Sequence, residues 1–180
     1  MNKRTLWITQ TACFIALLMG LQIASQGLGN QFVTGSLVNM VLAVSVMIGG
    51  FSTGTVVAII SPFLATVLPT ASPPLPLVPF IAFGNFALVA IWYLICKKIS
   101  KDNMHLMHVI ATIAGAVGKF IVLYFGIVHF AAPLILGLPA GAPVYFMFSW
   151  PQLVTALIGG ALASIILPTL RKALGVRFET

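Results

Sequence analysis

The sequence predicts an all-α membrane protein, a single bundle of six transmembrane helices. Of its 180 residues, 60% are hydrophobic and only 6% are charged, whereas a soluble domain carries about a quarter charged residues. Six apolar runs fill nearly the whole chain, and each approaches the roughly 20 residues that cross a bilayer. The predicted helices lie near residues 5–24, 33–49, 52–68, 78–96, 105–130 and 148–170.

Turn-forming residues separate these runs and leave no room for a soluble domain, so residues 1–180 are expected to form one membrane domain. The first run is longer than the apolar core of a signal peptide and is expected to remain as the first helix. The breaks are Gly27 with Gly29, Gly49 with Gly50, the proline-rich stretch 69–76, the polar stretch 97–103, and the Pro- and Gly-rich stretch 133–143.

The positions of the cations predict that both termini are cytoplasmic, because Lys and Arg near short loops are retained on that side. The connections at 25–35, 69–77 and 131–147 contain no Lys or Arg. Eight of the nine cations lie at the other ends of the runs: Lys3, Arg4, Lys97, Lys98, Lys101, Arg171, Lys172 and Arg177. The cation-free connections are rich in Gly, Pro and apolar residues, which fits either packing at the lipid interface or lids over an outward-facing cavity.

Lys119 is the one cation inside a predicted span. It lies about 14 residues, or roughly 21 Å, from the inner end of the fifth helix, past the midplane. A charge at this depth is costly unless it is paired or solvated, and it marks a functional site by default. The two acidic residues, Asp102 and Glu179, lie outside the spans. We therefore expect an anionic ligand to be the partner of Lys119, the alternative being a lysine that reaches the outer headgroups.

Further polar residues fall at similar depth when this topology is applied. Each alone could be an interhelical hydrogen-bonding group, but together with Lys119 they predict an outward-facing polar cavity. Pro62 is expected to free backbone carbonyls next to it in the third helix. The predicted substrate-binding residues are Lys119, Asn39, Asn85, Gln152, Ser61, Tyr124 and Gln31.

Small residues repeat every four positions on the first helix, at Ala12, Ala16, Gly20 and Ala24. A smooth face of this kind permits close approach by another helix. From spacing alone, the partner could equally be another helix of the same chain or a separate subunit.

Several functions are excluded or weakened. The cations lie at segment ends rather than along a face with aromatic groups, which argues against nucleic-acid binding. There is no GxxxxGK[ST] phosphate loop, no nucleophile and base pair typical of an enzyme, and no intramembrane acid to couple transport to protons or sodium. His105 and His108 are weak evidence for a metal site, so no metal is expected. Cys13 and Cys96 are expected to be buried packing residues.

The whole chain resembles the substrate-binding S components of energy-coupling factor (ECF) transporters, which are small bacterial six-helix proteins. The resemblance rests on its length, its topology, the Ala12-xxx-Ala16 pattern and four segments. These segments are 34–39 (TGSLVN), 61–65 (SPFLA), 79–85 (PFIAFGN) and 150–160 (WPQLVTALIGG).

This resemblance implies a subunit of the bacterial cell membrane that binds a vitamin with high affinity and is not itself an enzyme. It implies a transmembrane T component, packed against Ala12, Ala16 and Gly20, and two cytoplasmic ATPases that use ATP and Mg²⁺. The segments around Asn39, Asn85 and Gln152 are most similar to the pantothenate-type branch. Alternative substrates are pyridoxine, hydroxymethylpyrimidine, cobalamin and riboflavin, and the alternative function is an autonomous channel or facilitator for small solutes.

Overall fold

The computed structural model describes residues 2–68, 73–98 and 104–174, and within these ranges every regular element is helical. Five helical stretches are long and apolar enough to cross a membrane. The chain is therefore an all-α, multi-pass membrane protein. Its elements are α1 (Lys3–Gln26), α2 (Gln31–Ala65), a 3₁₀ turn (Leu75–Leu77), α3 (Val78–Lys98), α4 (Met104–Leu123), a π-helical segment (Tyr124–Ile135), α5 (Pro143–Met147) and α6 (Trp150–Leu174).

Part of the sequence-based prediction lies outside the described residues. This holds for the predicted turn at 69–72, for the cations Lys101 and Arg177, and for the acids Asp102 and Glu179.

The second and third predicted helices are joined in the structure, which therefore has five long helices where the sequence predicts six. Gly50 interrupts α2 with φ 83° and ψ 177°, a conformation open to glycine because it has no Cβ. A Cβ on Gly54 would lie 2.7 Å from the Cβ of Val46, although residues eight apart in a straight helix are separated by about 12 Å. The two halves of α2 therefore fold back against each other, and a single residue makes the turn.

Local capping determines where the first two helices begin. The side chain of Asn2 accepts from the backbone N–H of Arg4 at 3.3 Å, and the side chain of Asn30 accepts from that of Phe32 at 2.9 Å. Asparagine is favoured at such positions because it satisfies one of the free N–H groups of the first turn. Gly29, with φ 59°, makes the tight turn between α1 and α2.

The extension of α4 is a π-helix rather than an α-helix. Pro133 lies inside it, and proline has no N–H and clashes with the carbonyl four residues earlier in an α-helix. The segment ends with a bond from the N–H of Leu136 to the carbonyl of Ala131, five residues back. The wider helix thus accommodates the proline while the chain continues to the end of the bundle.

Helix α2 is central to the packing, since it contacts α1, α3 and α6, while α4 packs between α3 and α6. Leu42, Val89, Trp92 and Ala116 are among the buried residues of the main core. Large side chains on the outer surfaces, such as Phe83 and Ile165, are well exposed in the isolated chain, as expected for a surface that faces lipid rather than water.

Helix α1 is peripheral, and its stripe of small residues is not covered. Ala12, Ala16, Gly20 and Ala24 are all exposed, and nothing lies within 4 Å of a Cβ built on Gly20. The stripe therefore does not pack against another helix of the described chain.

The prediction that both cysteines are buried is wrong for Cys13, which is exposed on α1, and Cys96 is only partly buried. In a bilayer an apolar side chain gains nothing by leaving lipid for the core, so an apolar run alone does not indicate which face is inside.

Candidate functional site

A cavity of about 690 Å³ opens at the end of the bundle where the cation-free connections meet. Its volume lies in the range of small-molecule sites, about 300–1,000 Å³. Glycine and proline residues of the connections, with Val144, Met147 and Phe148 of the α5 region, form part of its wall. Six of the seven predicted binding residues also line it: Gln31, Asn39, Ser61, Asn85, Lys119 and Gln152.

Lys119 occupies the base of the cavity and is 4% exposed. Its Nζ donates to Oδ1 of Asn39 at 2.6 Å and to Oδ1 of Asn85 at 2.7 Å. An ammonium has three N–H donors, so one donor remains without an acceptor among the described residues. Asn39 is eight residues, or about 12 Å, from the start of α2. The cation is therefore well below the end of the bundle and does not reach the headgroups.

Neighbouring groups fix both asparagines. Nδ2 of Asn39 donates to Oγ1 of Thr155 at 3.4 Å, and Thr155 in turn donates to the carbonyl of Gln152 at 3.1 Å. Gly159 lets α6 approach α2 closely here, because an added Cβ would lie 2.6 Å from both Cβ of Asn39 and the carbonyl oxygen of Ser36. Close packing of α2 against α6 thus holds Asn39 in place.

A proline in α2 prepares the position of the second asparagine. Pro62 has no N–H, so the carbonyl of Ala58, four residues earlier, lacks its usual helical partner. Nδ2 of Asn85 donates to this carbonyl at 3.5 Å, at the long end of the hydrogen-bond range. Asn85 therefore turns its carbonyl oxygen toward Lys119, and Ser61, which is 2% exposed, lines the cavity beside Pro62.

Gln31 and Gln152 hold a short helix over the cavity. Nε2 of Gln31 donates to the carbonyl of Met147 at 2.8 Å, and Nε2 of Gln152 donates to the same carbonyl at 3.0 Å. Met147 ends α5, which follows two glycines of positive φ, Gly137 and Gly141. The two glutamines therefore connect α5 to the starts of α2 and α6. We call this pair of hydrogen bonds to Met147 the latch.

Three further polar residues line the cavity beyond those singled out as binding residues. Gln22, Asn30 and Thr34 surround its upper part. Oε1 of Gln22 is buried without a hydrogen-bond partner among the described residues. Their common position beside the first cation-free connection is a signal in the sequence, but nothing there distinguishes them from ordinary turn residues.

Tyr124 does not line the cavity, contrary to its prediction. Five residues after Lys119 on a helix, it points roughly 140° away around the axis. Its ring instead stacks on Phe120, with centroids 5.3 Å apart, and meets the ring of His129 edge-on at 4.7 Å. Depth alone suggested Tyr124, and the direction around the helix excludes it.

The cavity is closed below Lys119. Leu42, Ala116 and Ala156, which follow toward the other end of the bundle, are at most 2% exposed. Gly160 packs so closely on Thr112 that an added Cβ would lie 2.5 Å from it. No open path continues through this part of the core.

A second cavity, of about 360 Å³, is apolar and lies on the side of the bundle between α2 and α3. Ile59, Phe63, Phe83 and Phe86 line it together with Pro79 and Ala82. It offers no hydrogen-bonding side chain and suits contact with lipid chains.

Metal ligands do not gather in the part of the chain that the structure describes, where no group of three or more His, Cys, Asp or Glu residues is found. His108 is buried with its ring 5.9 Å from that of Trp92.

Comparison with known protein families, with curated proteins and with solved structures returned no match.

Proposed function

We propose that this chain is the substrate-binding S subunit of an ECF-type transporter and captures a small anionic vitamin, such as pantothenate, from outside the bacterial cell membrane. The observation that carries this proposal is the buried Lys119 at the base of a cavity of vitamin size. No acidic side chain lies among the described residues to balance it. An anionic ligand would supply both the missing charge and the acceptor for the third N–H.

The proposed topology has six crossings with both termini in the cytoplasm. The fold-back at Gly50 supports separate crossings by the two halves of α2, since 35 residues of unbroken helix would be about 52 Å long and the hydrocarbon core is about 30 Å thick. The cavity opens at the end without cations, so the positive-inside rule places its mouth outside.

The closed base of the cavity favours capture over passage. A channel or facilitator needs a continuous route, whereas the packing around Leu42, Ala116 and Ala156 fills the bundle below Lys119. Substrate release to the cytoplasm would then need these closely packed helices to move apart. A source of energy outside the chain fits that need.

The uncovered stripe on α1 supports a partner subunit. Ala12, Ala16 and Gly20 form a smooth face that the chain itself leaves open, and such faces permit close helix contacts in membranes. We assign this face to a transmembrane T component, which would connect the chain to two cytoplasmic ATPases that bind ATP and Mg²⁺.

Reconstitution into liposomes tests the proposal. The purified chain alone should bind radiolabelled pantothenate, or another member of a panel of B vitamins and their precursors, without sustained transport. Coexpression with a T component and two ATPases should add ATP-dependent uptake. Rapid downhill flux by the isolated chain would favour the channel instead, and no binding to any vitamin would contradict the proposal.

A further inference from the structure

Lys119 and its two asparagines form a unit in which each hydrogen-bonding direction is assigned. A lysine amine facing a carboxamide as an ammonium can only donate, so Oδ1 and not Nδ2 of each asparagine must face it. One N–H of each amide is then directed away, to Thr155 and to the carbonyl of Ala58. The asparagines thus bind protein groups on both sides and are poorly placed to be the main ligand contacts.

The same unit leaves the charge of Lys119 uncompensated. Carboxamide oxygens accept hydrogen bonds but carry no net charge. Among the described residues that line the cavity, Lys119 is the only charged one. One negative charge on a ligand would therefore balance the site, whereas a dianion would bring a second, unpaired charge into it, and burial of an unpaired charge is costly.

The depth of the unit sets the orientation of the ligand. The neutral polar residues Gln22, Asn30 and Thr34 line the upper part of the cavity, near the ends of α1 and α2. Asn39, which binds Lys119, is about 8 Å below Thr34 and about 13 Å below Asn30 along α2. An elongated ligand can satisfy both levels only with its charged group innermost and its neutral hydrogen-bonding groups toward the mouth.

We infer that Asn39 and Asn85 are positioning residues that hold the Lys119 ammonium as a lone cation at the base of the cavity, so that the site selects ligands with a single negative charge at the end that enters first. This inference rests on the proposed function, because it requires that the cavity binds a small molecule. It adds which residues set the charge selectivity and which end of the ligand is innermost.

Charge-matched probes and near-isosteric variants test the inference. The probes are pantothenate, its alcohol analogue pantothenol, which lacks the carboxylate, and 4′-phosphopantothenate, which adds a phosphate at the opposite end. A second set consists of B vitamins and precursors that carry a carboxylate, each measured beside its uncharged primary amide. Binding is measured by native mass spectrometry and by isothermal titration on the purified full chain in detergent.

The wild-type chain should prefer a carboxylate over its alcohol or amide analogue by about 10- to 100-fold, the effect of one charge-assisted hydrogen bond. In Asn39→Asp and Asn85→Asp, a carboxylate would take the place of the amide oxygen 2.6–2.7 Å from Nζ. This internal anion should reduce the preference for the carboxylate probe to about threefold or less. The main change is weaker binding of that probe, since the new Asp already neutralises the charge of Lys119.

Asn2→Asp is the control, since it introduces the same change at the N-cap of α1, far from the cavity, where aspartate caps equally well. It should keep the wild-type preference. The ratio between the two probes is informative because a merely structural role of the asparagines would lower both affinities together and leave the ratio unchanged.

The outcomes separate this inference from the proposed function. Binding of vitamins by the wild type without preference for the carboxylate would overturn the inference and the anionic character of the substrate, while vitamin capture by an S subunit would stand. An unchanged ratio in both Asp variants would overturn the positioning role. Tighter binding of 4′-phosphopantothenate, whose phosphate adds a charge of about −1.5 to −2 to that of the carboxylate, than of pantothenate would overturn the selection of a single negative charge. Failure of the wild type to bind any probe would overturn both.

Discussion

The cavity and the stripe on α1 differ in what the chain leaves unsatisfied. At the cavity, polar groups are buried and one N–H of Lys119 lacks an acceptor in the described part of the chain, while the surrounding helices pack closely. At the stripe the four small residues have no polar side chain and are exposed, and no described atom lies within 4 Å of a Cβ built on Gly20. A site that lacks an acceptor suits a small polar ligand, whereas a face that lacks only packing suits another helix.

This difference predicts that the two regions can be disabled separately. Ala12→Trp or Ala16→Trp should abolish uptake in cells expressing the complete transporter, because a large side chain separates two closely packed helices. Ligand binding by the isolated variants should stay nearly intact, since Ala16 and Ala12 lie about 9 and 15 Å along α1 from Gln22, the residue of this helix that lines the cavity. Copurification with the ATPase-bearing partners, beside ligand binding and ATP-dependent uptake, measures both effects.

Ile165→Trp is the matched control for the stripe, because Ile165 is 72% exposed and lies on α6, away from the face of α1 that carries Ala12 and Ala16. It should assemble normally. If Ala12→Trp and Ala16→Trp also assemble and support uptake, the stripe is not the partner surface. If their ligand binding collapses, the stripe instead supports the fold.

At the base of the cavity we expect the opposite result, with ligand binding lost and assembly with the partners retained. Lys119→Met should weaken ligand binding by about 1.5–3 kcal/mol, the contribution of a hydrogen bond to a charged group, which corresponds to roughly 10- to 150-fold in affinity. Its thermal stability should change less, because the loss of two bonds to Asn39 and Asn85 is offset by removal of a buried charge. Assembly with the partners should persist.

Isothermal titration and thermal unfolding of the same preparations check this prediction. Lys97→Met, which removes an exposed cation near the ring of Tyr93 at the other end of the bundle, should bind like the wild type. Unchanged affinity in Lys119→Met would exclude an anion at the base of the cavity.

Two glycines sharpen the contrast in packing. Gly159→Ala should lower stability by about 1–3 kcal/mol, the usual cost of overpacking, because its Cβ would meet α2 at 2.6 Å. It should also weaken ligand binding, since the displaced atoms belong to Asn39. Gly20→Ala has open space and should be neutral or slightly stabilising in the isolated chain. Equal effects of the two changes on thermal unfolding would contradict the close α2–α6 contact.

The smallest effect is expected at the latch over the cavity. Gln31→Ala and Gln152→Ala each remove one of two hydrogen bonds to the carbonyl of Met147, so each should speed ligand dissociation only by a few fold, since one neutral hydrogen bond contributes about 0.5–1.5 kcal/mol. In the double variant, the change in the activation free energy of dissociation should exceed the sum of the two single changes, because the carbonyl of Met147 then has neither donor. Stopped-flow dissociation measures this, and additive single effects would argue against a shared latch.

The sequence predicts the membrane class and the main polar groups well, because a lysine or asparagine within an apolar run is a strong signal. Lys119, Asn39 and Asn85 stand out in this way. The sequence does not show how these three residues are arranged. The hydrogen bond between Lys119 and Asn85 depends on how the helices are rotated and on the carbonyl of Ala58, which Pro62 leaves without its helical partner. Tyr124 failed for the same reason, because similar depth does not ensure a common direction.

Features that depend on the folded connections could not be predicted from the sequence for a different reason. A residue such as Gln31 has the same polarity whether it binds a ligand or the carbonyl of Met147, and only the folded position of α5 decides between them. The turn at Gly50 needs one residue where a longer break was expected. Exposed side chains within a spanning helix, such as Cys13, resemble core residues in sequence because apolar residues suit both positions.

The proposed function requires that the cavity captures a small anion through Lys119. The most direct test is mass spectrometry of the small molecules released from the wild-type chain and from Lys119→Met, purified in parallel from the same cells. We expect one anionic molecule of vitamin size to be released from the wild type at close to one equivalent and to be strongly depleted from the variant. Release of the same molecule in equal amount from both proteins, or of a cation from the wild type, would contradict it.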